Sequence, residues 1–269
     1  MSLFEDDEKT SSSTMLLWLM VIAIGGMLCW YGWYMYNKDG EDKVTLCPNK
    51  GPKEHYVVLI DNTSPFPFNQ KAALSQRIKT MVLNDVPTGA LVSVFLLGED
   101  YKQHSTPVFE KCKPAQWEDD MKLVASKRLV EKEYAEKFAK PLNEVIQKIS
   151  LDQKAKTSPI FEMLQLVGIK GFAEANVRGP RHLIIYSDMV ANMPQFSMYT
   201  QKLPAFKDFA NTPYGQSATA KTLEGAVVTF NVLATEPNAA PYRMRSDFWS
   251  EYLEKNLATL DGFSPMEGL

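Results

Sequence analysis

The sequence predicts an α/β protein in which one amino-terminal transmembrane helix precedes a three-layer domain built on a mainly parallel sheet. Three observations predict it. Residues 15–36 are apolar and uncharged over the ~20 residues that a helix needs to cross a bilayer core. From His55 to Leu257, short apolar runs rich in β-branched residues alternate with helical patterns, the order that produces parallel strands joined by helical crossovers. Two of those runs, 55–60 and 183–186, are closely followed by acids, Asp61 and Asp188. Both carboxylates therefore fall on the edge of the sheet where its strands end, which is where open α/β sheets bind ligands.

With 269 residues, 45% of them hydrophobic, the chain holds enough apolar material for the membrane segment and one domain of roughly 200 residues. The division read from composition is a polar tail at 1–14, a transmembrane helix at 15–36, a linker at 37–54, the α/β domain at 55–260 and a carboxyl-terminal tail at 261–269. Trp30, Tyr31, Trp33, Tyr34 and Tyr36 crowd the end of the apolar segment, as amphipathic rings do at the headgroup level. The segment before it carries Glu5, Asp6, Asp7 and Glu8, whereas a cleaved signal peptide begins with basic residues. A signal anchor in the cell membrane, meeting the lipid bilayer through 15–36, is the expectation. A formal net charge of -3 supplies no concentrated basic face, so no nucleic-acid partner is expected.

Two signals set the side of the membrane, and they disagree. Lys38, Lys43, Lys50 and Lys53 follow the apolar segment while Lys9 precedes it, which by the positive-inside rule places the domain in the cytoplasm. Cys47 lies shortly before the first strand and Cys112 just after an expected edge strand, so the fold brings both to one end of the sheet. A Cys47–Cys112 disulfide needs an oxidising compartment; two reduced, half-buried thiols do not. The extracytoplasmic side is the expectation, with the cytoplasmic one as its alternative.

In order along the domain, 56–60 is a strand buried on both faces. A helix spans 69–83 with Leu74, Ile78, Met81 and Val82 as its stripe, and the break at Pro87 and Gly89 precedes a second strand at 91–97. Residues 106–110, with Pro107, fit a short antiparallel edge strand. A long helical pattern over 115–149 is expected to kink at Pro141, with the mixed charges of 127–156 on its solvated face. A helix over 158–167 starts on Ser158 as cap and Pro159 in its first turn. Strands at 183–186 and 226–233 and a helix over 246–257, carrying Phe248, Trp249, Tyr252 and Leu253, complete the domain. The loop 192–214, rich in Met, Phe, Tyr and Pro, is either a contact surface for a partner or an insertion folded back on the domain.

Asp61-Asn62-Thr63-Ser64-Pro65, Thr157-Ser158-Pro159-Ile160 and Tyr186-Ser187-Asp188 together resemble the three elements of the metal-ion-dependent adhesion site of von Willebrand factor A-like (vWA) domains, in that order along the chain. The similarity runs from about residue 47 to 257. It implies a Rossmann-like three-layer vWA-type sheet domain, with Asp61, Thr63, Ser158 and Asp188 as ligands of Mg²⁺, a small hard cation that takes oxygen donors and keeps part of its water. Pro65 stands where the motif has a serine. Without an ion, Asp61 and Asp188 would serve as helix caps, and Thr63 and Ser158 would satisfy loop amides. Leu46-Cys47-Pro48, Asp61-x-Thr63-x-Pro65, Cys112 within 109–114 and Ser187-Asp188-Met189 are also similar to a group of bacterial single-pass membrane proteins of this class.

Residues for catalysis are sparse. His55, His104 and His182 do not stand in a metalloprotease spacing, and the sequence holds no nucleophile elbow, phosphate-binding loop or Cys-x-x-Cys pair. Ser64 or Ser187 as a nucleophile would need a base. The expectation is therefore a tethered domain, not an enzyme, that recruits or scaffolds a protein partner in or near the membrane. A metal-dependent phosphoester hydrolase using the same two carboxylates is the alternative.

Overall fold

The computed structural model describes residues 8–37, 40–66, 68–103, 105–117, 126–149, 154–173, 175 and 177–266, and the side chains of 15–34 within the first helix. That helix, α1 (Glu8–Asn37), forms one unit with the residues up to Glu41, and the rest, from Asp42, forms the other. Within α1, residues Met15–Tyr34 are long and apolar enough to cross a membrane, and their side chains are exposed throughout. His104 and residues 1–7 lie outside the described residues.

The second unit is built on a six-stranded sheet. β1 (His55–Asp61), β2 (Leu91–Leu97), β4 (Arg181–Ser187), β7 (Ala226–Val232) and β8 (Thr259–Pro265) are parallel, and β3 (Phe109–Cys112) runs antiparallel on the edge. The order is β3-β2-β1-β4-β7-β8. β1 lies between β2 and β4, and every one of its residues is buried, which is why its sequence is a continuous apolar run with no alternation. Alternate residues feed two cores: Val57, Leu59, Phe95, Leu183 and Ile185 point to one, Tyr56, Val58, Ile60, Val94 and Tyr186 to the other.

α2 (Phe68–Asn84) covers the second face through Leu74, Ile78 and Val82. Beside it runs a helix made of α3 (Lys127–Tyr134), a π-helical turn (Ala135–Ala139) and α4 (Lys140–Lys148). Residues 115–117 are loop, so the described helix starts later than its pattern suggested, and 118–125 lie outside the described residues. Pro141 was expected to kink this helix, and the irregularity is the π turn just before it. Proline has no N–H for the carbonyl of Lys137 four residues back; Lys111 Nζ donates to that carbonyl instead, at 3.1 Å. Exposed pairs such as Lys127–Glu131 and Lys132–Glu136 line the solvent side and contribute at most about 0.5 kcal/mol each.

The first face is covered by α5 (Ile160–Leu166) with a π-helical extension (Val167–Ala173), α6 (Phe206–Ala210), α7 (Pro213–Ser217) and α8 (Tyr242–Lys255). Here the segment 192–214 folds back on its own domain, the second of the two arrangements its sequence allowed. Met198, Leu203, Phe206 and Phe209 are buried, and Phe196 packs against them. Phe196 and Phe209 pack on Phe161, whose ring centroid lies 4.9 Å from that of Trp249 and 5.0 Å from that of Phe209. Truncating so buried a ring costs about 3–5 kcal/mol.

Two boundaries move. The edge strand expected at 106–110 sits at Phe109–Cys112, where Cys112 pairs with Leu91. The expected tail at 261–269 is, through Pro265, strand β8. Leu260 and Phe263 are three apart, a spacing that hides a strand, yet both pack on the same core because the pairing shifts between Val228 and Thr229, opposite Leu260 and Gly262, and absorbs Asp261. Such a bulge breaks the two-residue period on which strand recognition rests.

The stretch from Asp42 to Glu54 packs against the amino-terminal edge of the sheet. Cys112 N donates to Thr45 O at 2.8 Å, and Cys47 and Cys112 form a disulfide with Cα atoms 4.7 Å apart. Lys113, buried next to it, donates Nζ to the carbonyls of Leu83 and Val86 at 2.9 and 2.7 Å, a cation at the end of α2 where the helix dipole is negative.

Candidate functional site

Burial on both faces delivers Asp61, the last residue of β1, to the carboxyl edge of the sheet with only 1% of its surface exposed. The backbone then turns at once, and the Asp61 carboxylate receives the turn: Thr63 N and Thr63 Oγ1 lie 2.8 and 2.6 Å from Oδ1. This is the local bond by which a short acid closes a turn. Ser187 Oγ, at the end of β4, donates to Oδ2 and accepts from Met189 N at 2.9 Å. Thr63 Oγ1 is also 2.9 Å from Ser158 Oγ. A hydroxyl has one proton to give, so with Thr63 donating to Asp61, Ser158 donates to Thr63.

Ser158 was expected to cap a helix, and here the structure differs. α5 starts at Ile160 with Pro159 at its cap position and no side-chain capping bond. The backbone of Ser158 instead exchanges two hydrogen bonds with Asn192, at 2.8 and 3.0 Å, which frees its hydroxyl to face Thr63. Asp61 and Asp188 close turns instead of capping helices: Asp188 Oδ1 accepts from Val190 N at 2.9 Å, closing its own turn, and Oδ2 accepts from Ser64 Oγ at 3.3 Å. Ser64 thus supplies a hydroxyl near the place that Pro65, exposed on the rim, leaves without one.

Helix α8 holds the Asp188 turn from behind. Arg245, 3% exposed, donates to the Asp188 carbonyl and, at 3.0 Å, to that of Ala240. Trp249 Nε1 donates to Met189 O at 3.0 Å, and Met189 has a left-handed φ of 56°. Arg245 and Trp249 escaped the sequence reading as members of this edge, and Ser64 and Ser187 entered it as motif neighbours and as nucleophiles lacking a base, not as ligands. Arg245 did leave a signal: with Phe248, Trp249, Tyr252 and Leu253 it forms the buried stripe of α8, and a charge on such a stripe has a partner to serve.

Burial pushes the Asp61 carboxyl above its usual range, against the opposing hydrogen bonds from Ser187 and Thr63. Burial first, and then the charge of Asp61, push Asp188 up to about 7, with Arg245 acting in the other direction. Tyr199, half-buried on the same edge, is raised by burial and by Asp188. Two like charges thus share a desolvated corner with one guanidinium. Beside them Asn62 Oδ1 is buried and accepts from no donor. Carboxylates, hydroxyls and an orphaned amide oxygen fit a small, hard divalent cation, which Asp61, Thr63, Ser158 and Asp188 would hold. Among the described residues no group of three or more His, Cys, Asp or Glu side chains has metal-binding geometry, so hydroxyl oxygens would make up the set.

The histidines stand elsewhere. His55 opens β1 and His182 pairs with Tyr56 one residue further on, both at the opposite edge of the sheet from Asp61 and Ser187. His55 Nε2 lies 2.8 Å from Ser93 Oγ, which donates to Glu110 at 2.9 Å. No described histidine can therefore serve as base to Ser64 or Ser187.

No protein-family model matches the chain, and no curated protein does. Among solved structures, a von Willebrand factor type A protein from Catenulispora acidiphila is similar at a TM-score of 0.42 and 11% identity; the similarity covers 79% of this chain and 39% of that one. An aerotolerance-related membrane protein from Bacteroides fragilis is similar at a TM-score of 0.39 and 10% identity, over 78% of this chain and 91% of that one. The mixed sheet with helices on both faces, preceded by an apolar helix, is the architecture that the vWA resemblance implied.

Proposed function

We propose that this protein is a membrane-anchored, vWA-like recruitment domain that captures a protein partner at the carboxyl edge of its sheet. One observation carries the reading: Asp61, Thr63, Ser64, Ser158, Ser187 and Asp188 gather there, two of them buried carboxylates whose repulsion a divalent cation would relieve. When bound, such a cation supplies an open coordination position for an acidic side chain of the partner. The chain's own residues shape the approach. Phe68, 89% exposed at the start of α2 and close in sequence to the Asp61 turn, offers the kind of aromatic anchor on which interfaces concentrate their energy. No described histidine reaches this edge to activate Ser64 or Ser187, so hydrolysis there would have to rest on a metal held by the same carboxylates, which is the second reading. The Cys47–Cys112 disulfide supports an extracytoplasmic domain, since such bonds persist in oxidising compartments.

The test is affinity purification of the full chain from gently solubilised native membranes, with and without chelator, beside Asp61→Ala and Asp188→Ala. A protein recovered by the wild type, released by chelator and missing from both variants is the expected outcome. Recovery indifferent to chelator and to both substitutions overturns the cation-bridged reading.

A further inference from the structure

The amino-terminal edge of the sheet presents three exposed apolar side chains, each with a lysine at hand. Val44 is 74% exposed and follows Lys43; Ile169 is 48% exposed and precedes Lys170; Leu257 is 64% exposed and lies two residues after Lys255. All three lysines are exposed. Their shared edge is fixed by the strands: Thr45 bonds to Cys112, the partner of the first residue of β2; Phe172 meets His55, the first residue of β1, edge-on at 5.4 Å; Gly225, just before β7, donates its N–H to Leu257 O at 2.7 Å.

Leu257 is the least expected of the three. α8 ends in a Schellman turn, with Ala258 N donating to Leu253 O and Leu257 N to Glu254 O, both at 3.0 Å. The residue at the left-handed position of that turn is normally glycine, yet here it is a leucine at φ 56°. A branched side chain strains this backbone, and its exposure wins back nothing from the core. Of the acids nearby, Asp42 uses Oδ1 in its own turn, accepting from Val44 N, Thr45 N and Thr45 Oγ1, and Glu54 takes the Tyr56 hydroxyl and lies 3.6 Å from His182, while Glu224 and Glu254 are exposed.

This edge is also the one the tether reaches. Five peptide steps join Asn37, the end of α1, to Asp42, the first residue of the domain, and they extend to at most roughly 18 Å. We propose that the amino-terminal edge docks on an anionic bilayer surface, with Val44, Ile169 and Leu257 entering the headgroup layer and Lys43, Lys170 and Lys255 meeting lipid phosphates. Apolar tips flanked by bases are the pattern of interfacial binding. The inference rests on the membrane anchoring proposed above and on neither the cation nor the partner.

The test uses the full chain carrying Cys29→Ser, reconstituted in nanodiscs of phosphatidylcholine alone or mixed with phosphatidylglycerol, with lipids bearing a nitroxide near the headgroup. Bimane is attached to Leu257→Cys, to Phe68→Cys on the opposite edge, or to Val21→Cys within α1. Quenching at Leu257→Cys that exceeds Phe68→Cys, grows with phosphatidylglycerol and falls to the Phe68→Cys level when Lys170→Glu and Lys255→Glu are added is the expected result. Quenching at Leu257→Cys no greater than at Phe68→Cys, or equal in the two lipid mixtures, overturns the proposal. A Val21→Cys label that escapes nitroxides placed at every acyl depth overturns the anchoring itself, and so separates the two failures.

Discussion

The indole N–H of Trp249 donates to the carbonyl of Met189 at 3.0 Å. A helix distant in sequence thereby fixes the left-handed residue that directly follows Asp188, and with it the direction of that carboxylate. Replacing Trp249 by Phe keeps most of the packing and leaves a buried carbonyl without its donor. The expected cost is about 1–3 kcal/mol, read by urea unfolding of the full chain in detergent, together with weaker recovery of the partner. Unchanged stability would show that the carbonyl finds water.

Asp188→Asn removes one of two like charges from a desolvated corner. In chelator at pH 7.5 it is expected to stabilise the protein, on the order of 1–2 kcal/mol, and to abolish the upward shift in Tm that Mg²⁺ is expected to give the wild type. A wild type whose Tm ignores Mg²⁺ would speak against a cation at this edge.

Acid should destabilise the domain through His55. Burial, and secondarily the charge of Arg181, lower its pKa from 6.5 to about 4, so the folded state holds it neutral where the unfolded chain takes up a proton. Between those values the unfolded state binds more protons; stability therefore falls as pH drops from 6.5 to 4, by up to about 3 kcal/mol, with no further loss from this group below that. Unfolding curves across this window should be steeper in pH for the wild type than for His55→Gln.

Reduction of Cys47–Cys112 opens a loop of 65 residues, and loop entropy sets the cost at about 4 kcal/mol. Melting with and without reductant measures it. In intact cells the same pair should resist alkylation until reductant is added; two thiols that label only after lysis would place the domain in the cytoplasm.

Phe68→Ser should leave stability within about 0.5 kcal/mol, since the ring is exposed, while reducing partner recovery. Equal recovery would remove Phe68 from the binding surface.

How much of this was legible in the sequence follows from burial. β1, β2, β4 and β7 are covered on one or both faces, and their apolar runs were found close to their observed ends. β8 was missed because the bulge at Asp261 destroys its alternation, and β3 was placed three residues early because Pro107 marked an edge but not its register. Asp61 and Asp188 were legible since a strand's last residue is positioned by the strand. Thr63 and Ser158 came from a motif, and the structure brings all four together. Arg245 and Trp249 act from a helix more than 50 residues downstream of Asp188, a proximity that only the folded chain creates.

β1 is joined to the tether at one end and carries Asp61 at the other, with parallel strands bonded along both its sides. Any tension between the tether and the carboxyl edge would therefore run along the strand axis. The hydrogen bonds to β2 and β4 are then loaded together in shear instead of being unzipped one after another. The Cys47–Cys112 bond would pass part of such a pull directly into β3 before it reached β1.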